Sequence, residues 1–445
     1  MYQTVKTKKG LDIPLGGAPR RHTVDLRTTA RRYAVKPADV VGFTPRLLVA
    51  EGDSVAAGQP LVADKHDPRL VLPSPVDGTV EAVVRGEKRR LMEVVVCRNI
   101  QSNQDNQGNP NTPATLTPDS PCWWMLRERP FGTIANPDHK PKGIFVSLRD
   151  TNPLAPDLDY ALLGREHEFE AGCTALERLA PLHLVHPVGP HPVGNVGTQI
   201  AQLDPINKGE CVWTIGAQDV ANIGRWCLTG LYRPERLVAV GGPAAKSPHY
   251  YRLTVGSCLK QAVDAQLMNP DYPDLNTPPA VRTRIISGSP LSGTRIDADG
   301  FLGMYDQQVS LLEEGDRYDF MGWLMPGLKK FSFSKTFLSG LLGHLDILDH
   351  LELPRPSYKF NTNTHGSVRP FLFTGQFERV FPFDIYPLQL IKACIVGDVE
   401  LQEKLGIYEV EPEDFALCEF IDPSKTEIQS IIREALEVLR KEATA

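Results

Sequence analysis

An α/β multidomain architecture is what this sequence predicts, on three observations. The chain has 445 residues, enough for two to four domains of ordinary size. Its middle third alternates short apolar runs with helix-period stripes, which implies a mostly parallel sheet. Its first hundred residues are instead short strands broken by Gly and Asp turns, and its last twenty carry a single amphipathic helix.

The first unit covers residues 1–100, an N-terminal segment followed by short strands over 42–96. Glu51-Gly52-Asp53-Ser54-Val55, Gly58-Gln59-Pro60-Leu61 and Pro73-Ser74-Pro75-Val76-Asp77-Gly78-Thr79-Val80 recur in order, with Asp77-Gly78 a hairpin signal. This order resembles the biotinyl/lipoyl barrel-sandwich domain. A carrier lysine would tip a hairpin midway between the two half-motifs. That midpoint falls near Asp67-Pro68, and Lys65 lies off it, so a structural sandwich is expected. Residues 101–120 are rich in Gln, Asn, Pro, Thr and Ser and read as a flexible linker.

A Rossmann-like α/β domain is expected over 121–250. Apolar runs at 143–148, 182–186, 212–215 and 237–240 suit four strands, and 160–179 and 219–231 suit helices. Neither G-x-G-x-x-G nor a Walker A loop occurs. The nearest piece, residues 189–198, carries prolines that remove N–H groups a phosphate would want. His183, His186 and His191 cluster within nine residues, but no acid or cysteine stands beside them. Hydrogen-bonded imidazoles are the expectation there, with no metal site.

Residues 251–330 read as a β-grasp module. Strands are expected at 250–255, 284–287 and 307–312, with Ser257 capping a helix through Leu259, Ala262, Val263 and Leu267. Residues 331–445 are a mixed segment ending in a helical region. Phe320, Trp323, Phe331, Phe333 and Phe337 form an aromatic group at the junction, read as core packing. Ser424-Lys425-Thr426-Glu427 reads as a capping box, and Ile428, Ile431, Ile432, Ala435, Leu436 and Leu439 form one apolar stripe behind it.

Composition narrows the function classes. Forty-eight basic and 54 acidic residues give a net charge of −6, which argues against a nucleic-acid coat. Neither a membrane-length apolar run nor a signal-peptide core is present, so a cytoplasmic setting is expected. The charge is polar along the chain. Residues 1–40 hold nine Lys/Arg and three Asp, and residues 398–445 hold thirteen acids and five bases, which suggests oriented docking on a charged partner or membrane face. The eight cysteines never approach closer than Cys211 and Cys227. Clustered iron–sulfur or zinc runs are therefore missing, and reduced, buried thiols are expected.

The order of these units resembles a family. It contains the flavin-carrying NADH-binding subunit of respiratory complex I, the C subunit of Rnf complexes and the A subunits of sodium-translocating NADH–quinone reductases, the last being nearest. The pieces that carry the resemblance span the chain. They include Lys8-Lys9-Gly10-Leu11-Asp12-Ile13-Pro14, Gly17-Ala18-Pro19, His186-Pro187-Val188, Gln218-Asp219-Val220, Leu291-Ser292-Gly293-Thr294, Gly322-Trp323-Leu324-Met325-Pro326-Gly327 and Glu378-Arg379-Val380. The resemblance implies a peripheral subunit on the cytoplasmic face of the bacterial inner membrane. The membrane-embedded B subunit would hold it, and the C, D, E and F subunits would complete a complex that passes electrons from NADH to quinone and exports Na⁺. FMN, FAD and iron–sulfur centres would sit on those partners. The flavin loop and the cysteine cluster of the wider family are absent here, with only Cys418 near the expected cluster position. No covalent cofactor and no catalytic residue of its own are therefore expected. A quinone (ubiquinone or menaquinone) is the implied small-molecule partner, with His186, His191, Asn195 and Thr198 as candidate hydrogen-bond donors and Trp323 as a candidate wall. The alternative is an independent soluble carrier or enzyme built on the lipoyl-like domain.

Overall fold

The computed structural model describes residues 2–99, 113–267, 282–316, 321, 325–327, 330, 331, 333, 357–371 and 375–444. The strands among these residues form four sheets.

The barrel-sandwich is two small sheets packed face to face. One is four-stranded, in the order β3 (Arg32–Val35), β9 (Leu91–Arg98), β8 (Gly78–Arg85) and β5 (Ser54–Val55). The other holds β4 (Pro45–Leu47), β6 (Pro60–Asp64) and β7 (Val71–Pro73). Leu61, Val62, Leu72, Val80, Val94 and Val96 fill the space between them. The two turns expected from sequence are not hairpins. Gly52-Asp53 carries the chain from β4 to β5, and Asp77-Gly78 from β7 to β8, each time crossing between sheets. A Gly-Asp pair specifies a reversal, and closure of the sandwich decides which strand lies beyond it. Asp64 pairs with Pro45, its N–H goes to the Leu70 carbonyl, and Leu70 N–H goes to Asp67, so the β6–β7 hairpin turns at 67–69 and Lys65 stands on its shoulder.

The second sheet system has the order β1 (Tyr2–Lys6), β13 (Leu182–Val188), β12 (Ile144–Ser147), β14 (Val212–Thr214), β10 (Arg127–Arg129), β11 (Thr133–Ile134). Its first four strands are parallel and the last two antiparallel. Helices α2 (Glu166–Glu177) and α4 (Ala217–Thr229) cover one face, and α3 (Val196–Leu203) the other. Alternate residues of β12 serve the two layers: Ile144 and Val146 meet one, Phe145 the other. The helix expected over 160–179 is two, α1 (Leu158–Leu162) and α2, because Gly164 takes φ +77° between them. Helices α2 and α4 touch backbone to backbone, since a Cβ on Gly224 would overlap the Glu168 carbonyl and one on Gly172 the Val220 carbonyl.

The third system is β18 (Thr294–Ile296), β17 (Thr283–Ser287), β19 (Gln308–Glu313), β15 (Glu235–Gly241), β16 (His249–Thr254), β2 (Arg20–Asp25). The apolar run at 237–240 is thus a strand, but of this sheet and not of the preceding α/β unit. Ser257 Oγ donates to the Thr254 carbonyl at 2.6 Å instead of capping a long helix, and α5 is only Lys260–Asp264.

Three further findings concern the chain's periphery. The N-terminal segment is not an appendage of the sandwich: β1 extends the second sheet system and β2 the third. Much of its positive charge is neutralised inside the chain, where Arg21 pairs with Asp157, Arg27 with Asp25 and Glu235, Arg32 with Glu81, and Lys36 with Glu93. The described part of the expected linker, residues 113–120, is packed, with Leu116 and Ser120 buried and Ala114 N–H on the Cys227 carbonyl; residues 101–112 lie outside the described residues.

The C-terminal helices (Phe377–Val380, Pro387–Val396, Val399–Lys404, Ala416–Ile421, Ile428–Thr444) share one apolar core, into which Ile428, Ile432, Leu436 and Leu439 point. The start of the terminal helix differs from the expected box. Asp422 takes the N–H groups of Ser424 and Thr426, and Glu419 Oε2 takes that of Gln429 at 2.8 Å. Two cysteines, Cys122 and Cys418, are buried; the other six are half-buried, and none is paired in a disulfide. Among the described residues no helix is long and apolar enough to cross a membrane.

Candidate functional site

Strand β12 connects to β13 on one side of itself, and β13 to β14 on the other. The switch point where open α/β sheets bind ligands therefore lies beyond the carboxyl ends of β12 and β14. The turn from β13 into α3, residues 189–195, borders it where Ser147 Oγ at the end of β12 donates to the Gly194 carbonyl at 3.0 Å; it holds His191 and Asn195, and Thr198 follows in the first turn of α3.

The chain's own segments cover this turn. Residues 7–12 lie across the turn: Thr7 N–H donates to Val188, Leu11 N–H to the His191 carbonyl at 2.7 Å, and Asp12 Oδ1 accepts from His191 N–H at 2.9 Å. A Cβ on Gly10 would overlap the His191 carbonyl oxygen. On the inner side, Gln199 Nε2 donates to Ser147 Oγ at 2.7 Å and to the carbonyls of Val193 and Gly194. A phosphate-binding turn presents free N–H groups to its ligand; here prolines and internal bonds consume them.

His191 is 1% exposed. Thr151 Oγ1 accepts from Gly194 N–H at 2.9 Å and lies 3.2 Å from His191 Nδ1, so its hydroxyl hydrogen is free to serve the ring. Burial pulls the imidazole down to about 4, so the ring is neutral near pH 7. Its Nε2 has no partner among the described residues. Asn195 takes the N-cap position of α3 without capping it and donates instead to the Glu413 carbonyl at 3.4 Å. Thr198 is buried, and its hydroxyl has no partner among the described residues. The structure thus brings His191, Asn195 and Thr198 to one buried end of α3. His186 stays on β13, exposed, opposite Thr4 of β1. His183 is a hydrogen-bonded structural imidazole: Nδ1 meets Gln3 at 3.0 Å and the ring stacks on Phe145 at 4.5 Å. Trp323, Phe320 and Phe337 lie outside the described residues. Phe331 packs among Tyr358, Phe360 and Phe420, and Phe333 lies under Arg379.

Sequence reasoning missed the group that abuts this end of α3. Arg129, 1% exposed, lies 3.2 Å from Glu411, 3.1 Å from Asp414 and 3.7 Å from Glu413. A Cβ on Gly197, in the first turn of α3, would overlap the Asp414 carboxylate. Burial works against the Arg129 charge, and Glu411, Asp414 and Glu413 outweigh it. Burial pushes Asp414 up against the opposing pull of Arg129, and Glu413 rises through burial and its two acidic neighbours. Nε and Nη1 of Arg129 and Oδ1 of Asp414 make no hydrogen bond among the described residues. The only sequence signal is the acid run Glu411-Pro412-Glu413-Asp414, which reads as part of a charged tail.

Comparison with known proteins decides the family. The NqrA N-terminal barrel-sandwich hybrid domain matches residues 5–99, the NqrA second alpha/beta domain 115–188 and 182–232, and the NQRA C-terminal domain 237–298. The A subunit of the Na(+)-translocating NADH-quinone reductase of Rhodopirellula baltica is 35% identical over 98% of both chains. The chain belongs to the family of Na(+)-translocating NADH-quinone reductase A subunits. Other members are those of Yersinia pseudotuberculosis, 34% identical over 98% of this chain and all of that one, and of Pseudomonas aeruginosa, 35% identical over the same shares. Among solved structures, an air-oxidized NAD⁺-reducing [NiFe]-hydrogenase is 12% identical and covers 68% of this chain and 57% of that one, with a TM-score of 0.31. Membership of the A-subunit family displaces the reading as an independent carrier protein.

Proposed function

We propose that this chain is the peripheral A subunit of a Na⁺-translocating NADH:quinone reductase. The membrane-embedded B subunit holds it on the cytoplasmic face of the inner membrane, and it works with the C, D, E and F subunits. It supports quinone reduction coupled to Na⁺ export, while FMN, FAD and iron–sulfur centres belong to the partners. End-to-end similarity to the A subunits, at about 35% identity with no large region left over, carries this reading. Deleting the chain from the assembled complex is expected to abolish NADH-driven quinone reduction and Na⁺ uptake. A fully active complex without it overturns the proposal.

Within that role, the buried end of α3 is the proposed quinone-headgroup contact. A quinone carbonyl needs a hydrogen-bond donor in an apolar surround. The unpartnered His191 Nε2 and Thr198 hydroxyl, with Val193 and Ile200 beside them in the core, support the choice. Titrating ubiquinone or menaquinone into the full chain by a direct binding method tests it: His191→Ala is expected to weaken binding about tenfold, the loss of one well-made hydrogen bond, and exposed His186→Ala to leave it unchanged. Equal affinity for wild type and His191→Ala removes this turn from consideration.

A further inference from the structure

The antiparallel edge of the second sheet system carries a second cluster, at its other end from the α3 turn. Glu128 on β10, His139 in the β11–β12 connection and Cys211 just before β14 come from three separate parts of the chain. Their carboxylate oxygen, imidazole nitrogen and thiol sulfur all lie within 4.8 Å of one another. Strand pairing fixes two of them, because β10 and β14 run antiparallel with Glu128 opposite Trp213 and Arg129 opposite Val212, which brings Cys211 to the same edge.

We propose that Glu128, His139 and Cys211 form a binding site for a borderline-soft divalent cation of the zinc class. The donor set is the argument. A thiol with an imidazole selects against Mg²⁺ and Ca²⁺, which take oxygen ligands, and one carboxylate completes a three-ligand face of a tetrahedron. Glu128 is firmly oriented as a ligand. It is 7% exposed, and its Oε2 accepts from Trp213 Nε1 at 3.0 Å and from Asn136 N–H at 3.2 Å. Its Oε1 faces His139 Nδ1 at 2.7 Å, the position a cation would share. The Cys211 thiol makes no hydrogen bond among the described residues. His139 is half exposed, so the cation has an approach from solvent and water can take the fourth position.

The charges and protons balance. The cation displaces the Cys211 thiol proton to solvent; the ring proton, which Nδ1 holds toward Glu128 Oε1 at 2.7 Å, passes to Nε2 as Nδ1 coordinates, and the Asn136 amide nitrogen 3.4 Å from Nε2 turns away to admit it. One carboxylate and one thiolate then neutralise the dication, which suits a half-buried site. Coordination takes the thiolate form, so binding releases a proton and is expected to strengthen as pH rises. Occupancy would clip the 135–142 connection onto the sheet edge.

The test uses the full chain, stripped with a chelator and titrated with Co²⁺ as a coloured stand-in. One equivalent of Co²⁺ is expected to give a near-ultraviolet thiolate charge-transfer band and intense visible bands of tetrahedral cobalt, both bleached by Zn²⁺. Cys211→Ser is expected to lose the charge-transfer band. His139→Ala, at a half-exposed position and with thermal unfolding of the stripped protein unchanged, is expected to weaken binding about tenfold or more. Absence of a thiolate band, or a band that survives Cys211→Ser because another cysteine supplies it, overturns the assignment. So does an affinity that His139→Ala leaves unchanged.

Discussion

Two arginines, Arg129 and Arg236, are sealed from solvent in this molecule, and their charges are met in opposite ways. Arg236, on β15, is 0% exposed. Its Nη2 meets Asp219 Oδ2 at 2.6 Å, its Nε meets Asp219 Oδ1 at 3.3 Å, and its Nη1 donates to the carbonyls of Met304 and Asp306. One cation faces one carboxylate, and the leftover donors find carbonyls. Arg129 faces three carboxylates, yet Nε and Nη1 make no hydrogen bond among the described residues. The first is a completed pair that joins α4 to the third sheet system. The second carries surplus negative charge and unfinished valences beside the candidate site. Buried polar groups that are completed hold a fold together, and those left incomplete mark where a protein does something else.

The largest effect is expected at the completed site. Arg236→Met leaves Asp219 buried without its cation, which costs about 3–5 kcal/mol in chemical denaturation of the full chain. A loss below about 1 kcal/mol would mean that the pair contributes no more than a surface bridge.

Arg129→Met is expected to cost less, and by an amount that depends on pH. Burial already pushes Asp414 and Glu413 up, so removing the cation drives them further toward the neutral form. A carboxyl whose folded value lies above its unfolded value stabilises the fold at low pH and loses that contribution as pH rises through the folded value. The variant should therefore approach wild-type stability in mild acid and fall away from it above neutrality. A pH-independent loss would place the cluster with Arg236 as plain structural glue.

What is legible in the sequence follows from range. The runs that form β12, β13 and β14, and the stripe on Ile428, Ile432, Leu436 and Leu439, are local patterns, and each is the element its pattern predicts. Pattern gives an element's type but not its partner. The run at 237–240 therefore reads as a strand of the wrong sheet, and β1 and β2, short and polar, do not read as strands at all. The same limit governs the site. His191, Asn195 and Thr198 lie at one end of α3 because they share one turn and the helix after it. Arg129 and Asp414 are 285 residues apart, and Glu128, His139 and Cys211 span three segments, so no spacing rule could join them.

A third variant separates the neutral histidine from the ion cluster beside it. His191 is held at about 4 by burial, below its usual 6.5. A group with a depressed folded value stabilises the fold above its unfolded value and loses that contribution as pH falls toward the folded one. The shift corresponds to about 3 kcal/mol, lost between about pH 6.5 and pH 4. His191→Asn, which can still pair with Thr151, should flatten the melting temperature in that window. An unchanged acid slope would shift the acid sensitivity onto other groups.

The smallest expected effect asks whether the Arg129 cluster depends on the terminal helix. That helix packs against residues 412–415, which supply Glu413 and Asp414. Glu419 satisfies the N–H of Gln429 at its start. Glu419→Ala removes one such bond from the first turn, a loss of about 1 kcal/mol on the scale of helix N-caps. If the cluster is positioned by this helix, amide exchange should rise at 411–415 and in the terminal helix, while α4 and β15 around Arg236 stay protected. Exchange that rises equally at both arginines would show that the two buried sites belong to one cooperative unit, and the contrast between them would then be one of chemistry alone.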